Sequence, residues 1–347
     1  MNLARSVSRL SVSVLCLGGS LAATQEVSDT NPNQTRIITV TSADQAAAET
    51  ATSTGIQFLP AKGTAAAASL QAKHTHPAAA SSQGTDPFNF SAGLASLPSP
   101  GYFVTDVSYN GGPVITDAIN YPVYVNTTPA AVGYPGTLLR DLGKSQMVHV
   151  IDQYVGLTAS HRYTAGIGIS MTYPSTPAVP FHNKDIRAIV HAAAASQGET
   201  GYHTVYHVFL PAGQDVCSGG SCYSPDDIAK FGFCAYHDSF DFKDIGHVIY
   251  SLEPYQAVPE CQTGPPSPNG LVIDSTLDTL SHEFFESISD PDGTAWYNTQ
   301  SLDENGEEVA DICVTTSTIY PVVKLNGTLY ELQAVYSNVY HGCAYVP

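Results

Sequence analysis

Basic residues are scarce in this chain. Its 347 residues include 13 Lys and Arg against 31 Asp and Glu, a formal charge of −18. A phosphate backbone needs a basic surface, so nucleic acid is not an expected partner. A polybasic membrane anchor is excluded for the same reason. No segment beyond the N-terminus supplies the roughly 18 consecutive apolar residues of a spanning helix, so no membrane span is expected. Two common catalytic signatures are also missing. Gly-x-Ser-x-Gly does not occur, and Gly166-Ile167-Gly168-Ile169-Ser170 is followed by no P-loop lysine. Charged residues make up only 13% and hydrophobic residues 43%, enough apolar material for one sizeable core or two small ones.

The acids that are present cluster. Asp244 to Pro347 holds fifteen acids and one base, Lys324. That concentration serves either solubility or the field of a cation site.

The first 23 residues read as a secretory signal: Arg5 and Arg9, then an apolar stretch from Leu10 to Ala23 too short to cross a bilayer, then Ser20-Leu21-Ala22 before the cut. The expected location is secreted, extracellular. Residues 24–98, rich in Ala, Ser, Thr, Gln and Pro, read as a low-complexity leader, linker or pro-segment, with His74 and His76 exposed. Residues 99–347 read as one α+β or α/β domain. Setting aside Cys16 leaves six cysteines, an even number suited to three disulfides. Sequence proximity pairs Cys217 with Cys222, Cys234 with Cys261, and Cys313 with Cys343. A thiolate zinc site lacks paired CxxC spacing.

Within that domain Val114–Asn126, His203–Leu210 and Val248–Leu252 read as strands, and Tyr320–Tyr345 as two or three more. Helical spacing runs through Thr137–Val155. Asn183 can cap a helix from Lys184 to about Ser196, and Asp274 or Ser275 a third one through Leu277, Leu280, Phe284 and Ile288 that stops before Pro291. Asn305-Gly306 marks a hairpin within Leu302–Val309.

The sharpest chemical feature is Ser281-His282-Glu283-Phe284-Phe285-Glu286. On a helix His282 and Glu286 share a face and can grip one metal ion. Glu283 stands where HExxH enzymes keep the general base that activates water. A carboxylate in place of the second histidine is compatible with Zn²⁺ and tolerates Ca²⁺ or Mn²⁺. Asp290 and Asp292 follow on a turn, Asp292 at the +10 position of the third ligand in HExxHxxGxxH/D proteases, though Ser289 replaces their glycine. Asp303, Glu307, Glu308 and Asp311 are further candidates. The apolar stripe sets His282, Glu283 and Glu286 off the core-facing side, toward a cleft or solvent. Cys234-Ala235-Tyr236-His237 could be a Cys–His nucleophile or a disulfide with a neighbouring imidazole. The other histidines, His207 among them, read as structural.

Several blocks together resemble the EXORDIUM / phosphate-induced protein 1 group and its secreted microbial relatives. They are Tyr109-Asn110-Gly111-Gly112-Pro113-Val114, Asp185–Val190 with Tyr206–Leu210, Gly232–His237, the Ser281–Glu286 motif with Asp290-Pro291 and Trp296-Tyr297, Asn305–Cys313, and Gln333 with Tyr336-Ser337-Asn338 and Cys343. The resemblance covers about 101–347. Plant members are cell-wall proteins without the His-Glu pair; the microbial relatives keep a pattern that looks like a zincin active site. It implies a zincin-like domain and a secreted metal-dependent hydrolase, most simply a peptidase. In it Glu283 is catalytic, and His282, Glu286 and one of Asp290 or Asp292 hold the metal. The alternative is a non-enzymatic matrix protein binding cell-wall polysaccharide through exposed tyrosines.

Overall fold

The computed structural model describes residues 31–61, 106–156, 162–175, 179–227, 230–298, 308–314 and 320–347. Among them Asn31–Pro347 form one compact unit. The elements mix helix and sheet. The described strands are β1 Thr35–Thr39, β2 Thr52–Ser53, β3 Gln57–Pro60, β4 Ser108–Tyr109, β5 Ala118–Val125, β6 Tyr163–Ala165, β7 Gly168–Thr172, β8 Phe181–His182, β9 Thr204–Phe209, β10 Val216–Ser218, β11 Ser221–Tyr223, β12 Phe233–Phe242, β13 Gly246–Glu253, β14 Trp296–Tyr297, β15 Val322–Leu325, β16 Thr328–Glu331, β17 Val335–Ser337 and β18 Gly342–Ala344. The main sheet runs β1-β7-β5-β9-β13-β12-β2, with β3 also on β12 and β6 on β5. From β1 to β13 the pairing is parallel; β12 turns antiparallel to β13, and β2 and β3 lie antiparallel to β12.

Each face of this sheet carries its own apolar core. Alternation along the strands sends Tyr206, Val208, Tyr250 and Leu252 to one side, where helix Asn183–Gln197 packs with Ile186, Ile189 and Val190. Val205, Phe209 and Ile249 go to the other side, with Leu277, Leu280, Phe284, Phe285 and Ile288 of helix Leu271–Ser289. A sheet buried on both faces explains why β9 is buried along its whole length.

Local signals hold up where tertiary packing agrees with them. The predicted strands at β5, β9 and β13 are present, and the C-terminal stretch forms two hairpins, β15–β16 and β17–β18. The second helix begins at Asn183, one residue before expected, because the His182 amide donates to Asp185 and His182 is the cap. The third begins at Leu271 rather than at Asp274, whose carboxylate instead accepts the Asn269 amide. It ends at Ser289, before Pro291. Thr137–Val155 is interrupted: helix Pro135–Gly143, a 3-10 turn Met147–Ile151, then Asp152–Val155. The three disulfides pair as expected. No helix of the described residues is long and apolar enough to cross a membrane. The signal segment, the Asn305-Gly306 hairpin and His74 and His76 lie outside the described residues.

One expectation is corrected. Part of the supposed leader is structural. β1 pairs with β7, and β2 and β3 pair with β12. Thr41 caps helix Ser42–Ala48 by a reciprocal box with Asp44. Phe58 packs against Phe233, ring centroids 5.0 Å apart. The Ala- and Ser-rich composition of 24–98 as a whole hides these two short strand-forming stretches, Thr35-Arg36-Ile37-Ile38-Thr39 and Gln57-Phe58-Leu59-Pro60.

Candidate metal centre

Helix Leu271–Ser289 is buried on all sides from Asp274 onward. One side meets the second apolar core. The other meets the sheet, and there the strands present polar residues. Register aligns His237 of β12 with Ser251 of β13, and Ser251 with His207 of β9, in one row across three strands. Glu253 lies two residues beyond Ser251 on the same face. The apolar stripe of the helix therefore behaves as expected, but the opposite side faces neither solvent nor an open cleft. His282, Glu283 and Glu286 are 0–2% exposed.

Six carboxyl groups gather at this seam: Glu253, Glu283, Glu286, Asp290, Glu308 and Asp311, all buried. Among the described residues their ion-pair partners are imidazoles. His282 Nε2 stands 2.9 Å from Glu286 Oε2 and 3.4 Å from Asp311 Oδ1. His237 Nδ1 lies 3.1 Å from Glu283 Oε2 and 3.9 Å from Glu286 Oε2, and its Nε2 lies 3.7 Å from Glu308 Oε1. The Nε2–H of His237 also donates to the Asp290 carbonyl at 3.1 Å. Two sets of converging ligand atoms result, His282–Glu286–Asp311 and His237–Glu286–Glu308, each within 4.8 Å.

Hydrogen bonding is incomplete at the convergence points. His282 Nε2 is close to Glu286, yet neither nitrogen of His282 makes a well-directed hydrogen bond, and Glu283 Oε1, Glu308 Oε1 and Asp311 Oδ1 have none. Buried polar atoms are ordinarily satisfied. Short contacts without hydrogen-bond geometry are what ligands of a common ion show. Tetrahedral ligands at about 2.0–2.2 Å from zinc lie about 3.4 Å from each other. The first set fits a divalent cation on spacing and on donor chemistry.

Charge tells the same story. Burial pushes Glu253 and Glu308 far above the usual carboxylate range, and raises Glu283. Burial, reinforced by the Glu286 charge, lifts Asp311 to about 7, and burial lifts Asp290 to about 6. Burial disfavours a charged His237, but the Glu283 hydrogen bond and the surrounding acids outweigh it and lift the ring to about 9. His282 is likewise raised, Glu286 prevailing over burial. Glu286 alone among these acids is held low; burial opposes its charge, and His282 overcomes it. Its Oε1 also accepts the amides of Ala310 and Asp311, at 3.2 and 2.9 Å.

The Glu308–Asp311 segment is fixed by the C-terminal hairpins. Gln333 Nε2 donates to the Ala310 carbonyl, the Tyr336 amide donates to Val309, and Cys313 is joined to Cys343.

Of the sequence candidates, His282, Glu283, Glu286, Glu308 and Asp311 come together. Asp290 and Asp292 join neither converging set. Asp290 Oδ1 accepts the amides of Thr294 and Ala295 and so closes the turn after the helix. Asp292 turns to Ser239 Oγ (2.7 Å), His247 Nε2 (3.1 Å) and Tyr202 Oη (2.6 Å). The +10 ligand of the HExxH pattern needs a chain reversal at its glycine. Ser289 is still helical here, and the next turn carries Asp292 to Ser239 of β12 and His247 of β13 instead. Asp303 and Glu307 lie outside the described residues. In the sequence His237 reads only as a possible nucleophile's partner. Cys234 is in a disulfide, which removes that nucleophile, and the ring points at the acids. The signal is period two: along β12 every second residue, His237 and Ser239 among them, faces the helix side, a rule that cannot say what waits there.

No family model, curated protein or solved structure matches the chain.

Proposed function

We propose that the chain is a metal-dependent hydrolase, zincin-like in its use of a helix-borne His-Glu pair, and that its reaction is cleavage of peptide bonds. The observation that carries this reading is the convergence of His282 Nε2, Glu286 and Asp311 on one point, in a buried seam where acids outnumber imidazoles. These three hold the ion. Imidazole with carboxylates favours Zn²⁺ or Mn²⁺ over Ca²⁺, which takes six to eight oxygens. The ion supplies Lewis acidity when bound.

Glu283 is the proton acceptor. His237 holds its Oε2, leaving Oε1 without a partner, and burial has raised its affinity for a proton toward the working range of a general base. The tight burial sets a condition on the substrate, so short peptides and small acyl esters belong in the assay beside polypeptides. Three disulfides suit an oxidising, extracellular setting, and the same reading places the chain beside the secreted microbial EXORDIUM-like proteins.

The test is metal analysis combined with turnover over a peptide and ester panel. Glu283→Gln should retain metal and lose activity by two or more orders of magnitude. A zinc-treated, desalted protein that carries no metal overturns the reading, as does undiminished turnover by Glu283→Gln. Polysaccharide binding by a metal-free protein would point to the matrix role instead.

A further inference from the structure

A single-ion centre leaves Glu308, and its convergence with His237 and Glu286, without a role. We propose that the seam takes two divalent cations bridged by Glu286, with His282 and Asp311 completing one position and His237 and Glu308 the other. This deepens the hydrolase reading and rests on it.

Three observations support the pairing. First, His237, Glu286 and Glu308 each offer one ligand atom, all within 4.8 Å of one another, from three separate parts of the chain: β12, the helix, and the segment before Asp311. Second, Glu308 is 1% exposed and its Oε1, directed at His237, has no hydrogen-bond partner. A lone buried acceptor of this kind is costly unless a cation or proton meets it. Third, both imidazoles face one oxygen, Glu286 Oε2, at 2.9 and 3.9 Å, while Oε1 is occupied by two backbone amides. The amides orient the carboxylate so that its free oxygen lies between the two sets.

Charge balance decides for two ions over one. Six buried carboxylates carry six negative charges when ionised. One divalent ion leaves four uncompensated; a second leaves two, which protons on acids that bind neither ion can meet, since ligating imidazoles are neutral. A shared carboxylate also sets the separation, about 3.5–4 Å, at which paired ions act together on one substrate. His237 gives up one of its two hydrogen bonds on binding, either that to Glu283 or that to the Asp290 carbonyl. In the first case Nε2–H stays on the carbonyl and fixes the tautomer, as ligating histidines commonly require.

The experiment strips the full-length protein with chelator, reloads it with Mn²⁺, desalts it and counts metal per chain. Wild type should hold two ions, Glu308→Gln one, and Asp311→Asn one. The wild-type Mn²⁺ protein should also give an exchange-coupled multiline paramagnetic resonance spectrum, a readout that needs no variant and survives a variant that fails to fold. One ion in wild type, unaffected by Glu308→Gln and lost in Asp311→Asn, overturns the second position and leaves the hydrolase reading standing. An isolated six-line manganese spectrum at saturation does the same. No bound ion at all overturns both.

Discussion

Asp311 is tied to Glu286 directly and through His282. Its backbone amide donates to Glu286 Oε1 at 2.9 Å, while its own carboxylate reaches His282 Nε2, the ring that Glu286 Oε2 also faces. One residue thus both orients the Glu286 carboxylate and brings a second acid to the same imidazole, although it lies 25 positions away in sequence.

Exchanging the third ligand separates Asp311 from Asp292. Asp311→Asn keeps the amide contact but weakens the donor, and should lower Zn²⁺ affinity by well over tenfold, the scale already seen for supporting residues. Asp292→Asn should leave affinity unchanged, because that carboxylate serves Ser239, His247 and Tyr202. Competition with a chromophoric chelator reads both. Equal losses would return the third ligand to the turn.

Metal-free protein should be less stable at pH 8 than at pH 5. Asp311 and Asp290 have folded-state values raised to about 7 and about 6, so they favour the folded state below the ordinary carboxylate range and lose that contribution as pH climbs through those values. His237, raised to about 9, contributes fully below its ordinary value and less as pH rises toward 9. Two groups work in the opposite sense: Glu286, held low, at acid pH below this window, and His207, lowered to about 3, whose contribution grows from pH 5 up to its ordinary value but is outnumbered by Asp290, Asp311, His237 and the raised His282. Thermal melts of chelated protein should therefore show a falling midpoint from pH 5 to 8, reversed by adding Zn²⁺ at pH 8. A midpoint that rises with pH in chelator contradicts the charge assignment.

The C-terminal disulfide should couple to the centre. Cys313 stands two residues after Asp311 and is joined to Cys343 across 30 positions. Cys313→Ser with Cys343→Ser should cost about 2–4 kcal/mol of stability in denaturant titration. It should also weaken metal binding more than the paired replacement of Cys217 and Cys222, whose link spans 5 positions in a peripheral hairpin.

Removing residues up to 61 should prevent folding rather than expose the centre. The truncation strips β2 and β3 from β12, the strand that carries His237, and leaves that edge open to aggregation. It also removes Gln57, against which Gly293 is so close that an added Cβ would lie 2.1 Å from the amide nitrogen, at a backbone φ of +65°. A soluble, metal-binding truncated protein would make this segment dispensable.

Hydrogen-bond accounting gives the protonation of Glu253 in the metal-free protein. His207 Nε2–H donates to Asn120 Oδ1, so its Nδ1 must accept, and the single proton of Ser251 goes there. Burial keeps this ring neutral, lowered to about 3. Glu253, 2.8 Å from Ser251, must then donate, which agrees with its strongly raised proton affinity. Glu253→Gln can donate in the same way and should leave the thermal midpoint of chelated protein unchanged at pH 8, whereas Glu253→Ala should lower it.

Local sequence was enough for the helix that carries Ser281–Glu286, its apolar stripe and its end before Pro291. It was also enough for the strands at β5, β9 and β13, because periodicity and proline act over a few residues, and for the Cys217–Cys222 link across 5 positions; pairing neighbours along the chain matched the two longer links, across 27 and 30 positions, without any local cause. It also singled out His282, Glu283 and Glu286 as a group, since one helical turn fixes their common face. What faced that group was a tertiary matter. Strand alternation places His237, Ser251 and His207 on one side of the sheet, but only register aligns them into a row under the helix. Glu308 and Asp311 reach the seam because two C-terminal hairpins and a disulfide hold their segment there, contacts spanning tens of residues. Asp292 was assigned by spacing and lost to backbone direction: a turn without its glycine leaves along another path. Local patterns can set which side chains point together; where a second element will meet them depends on the folded chain.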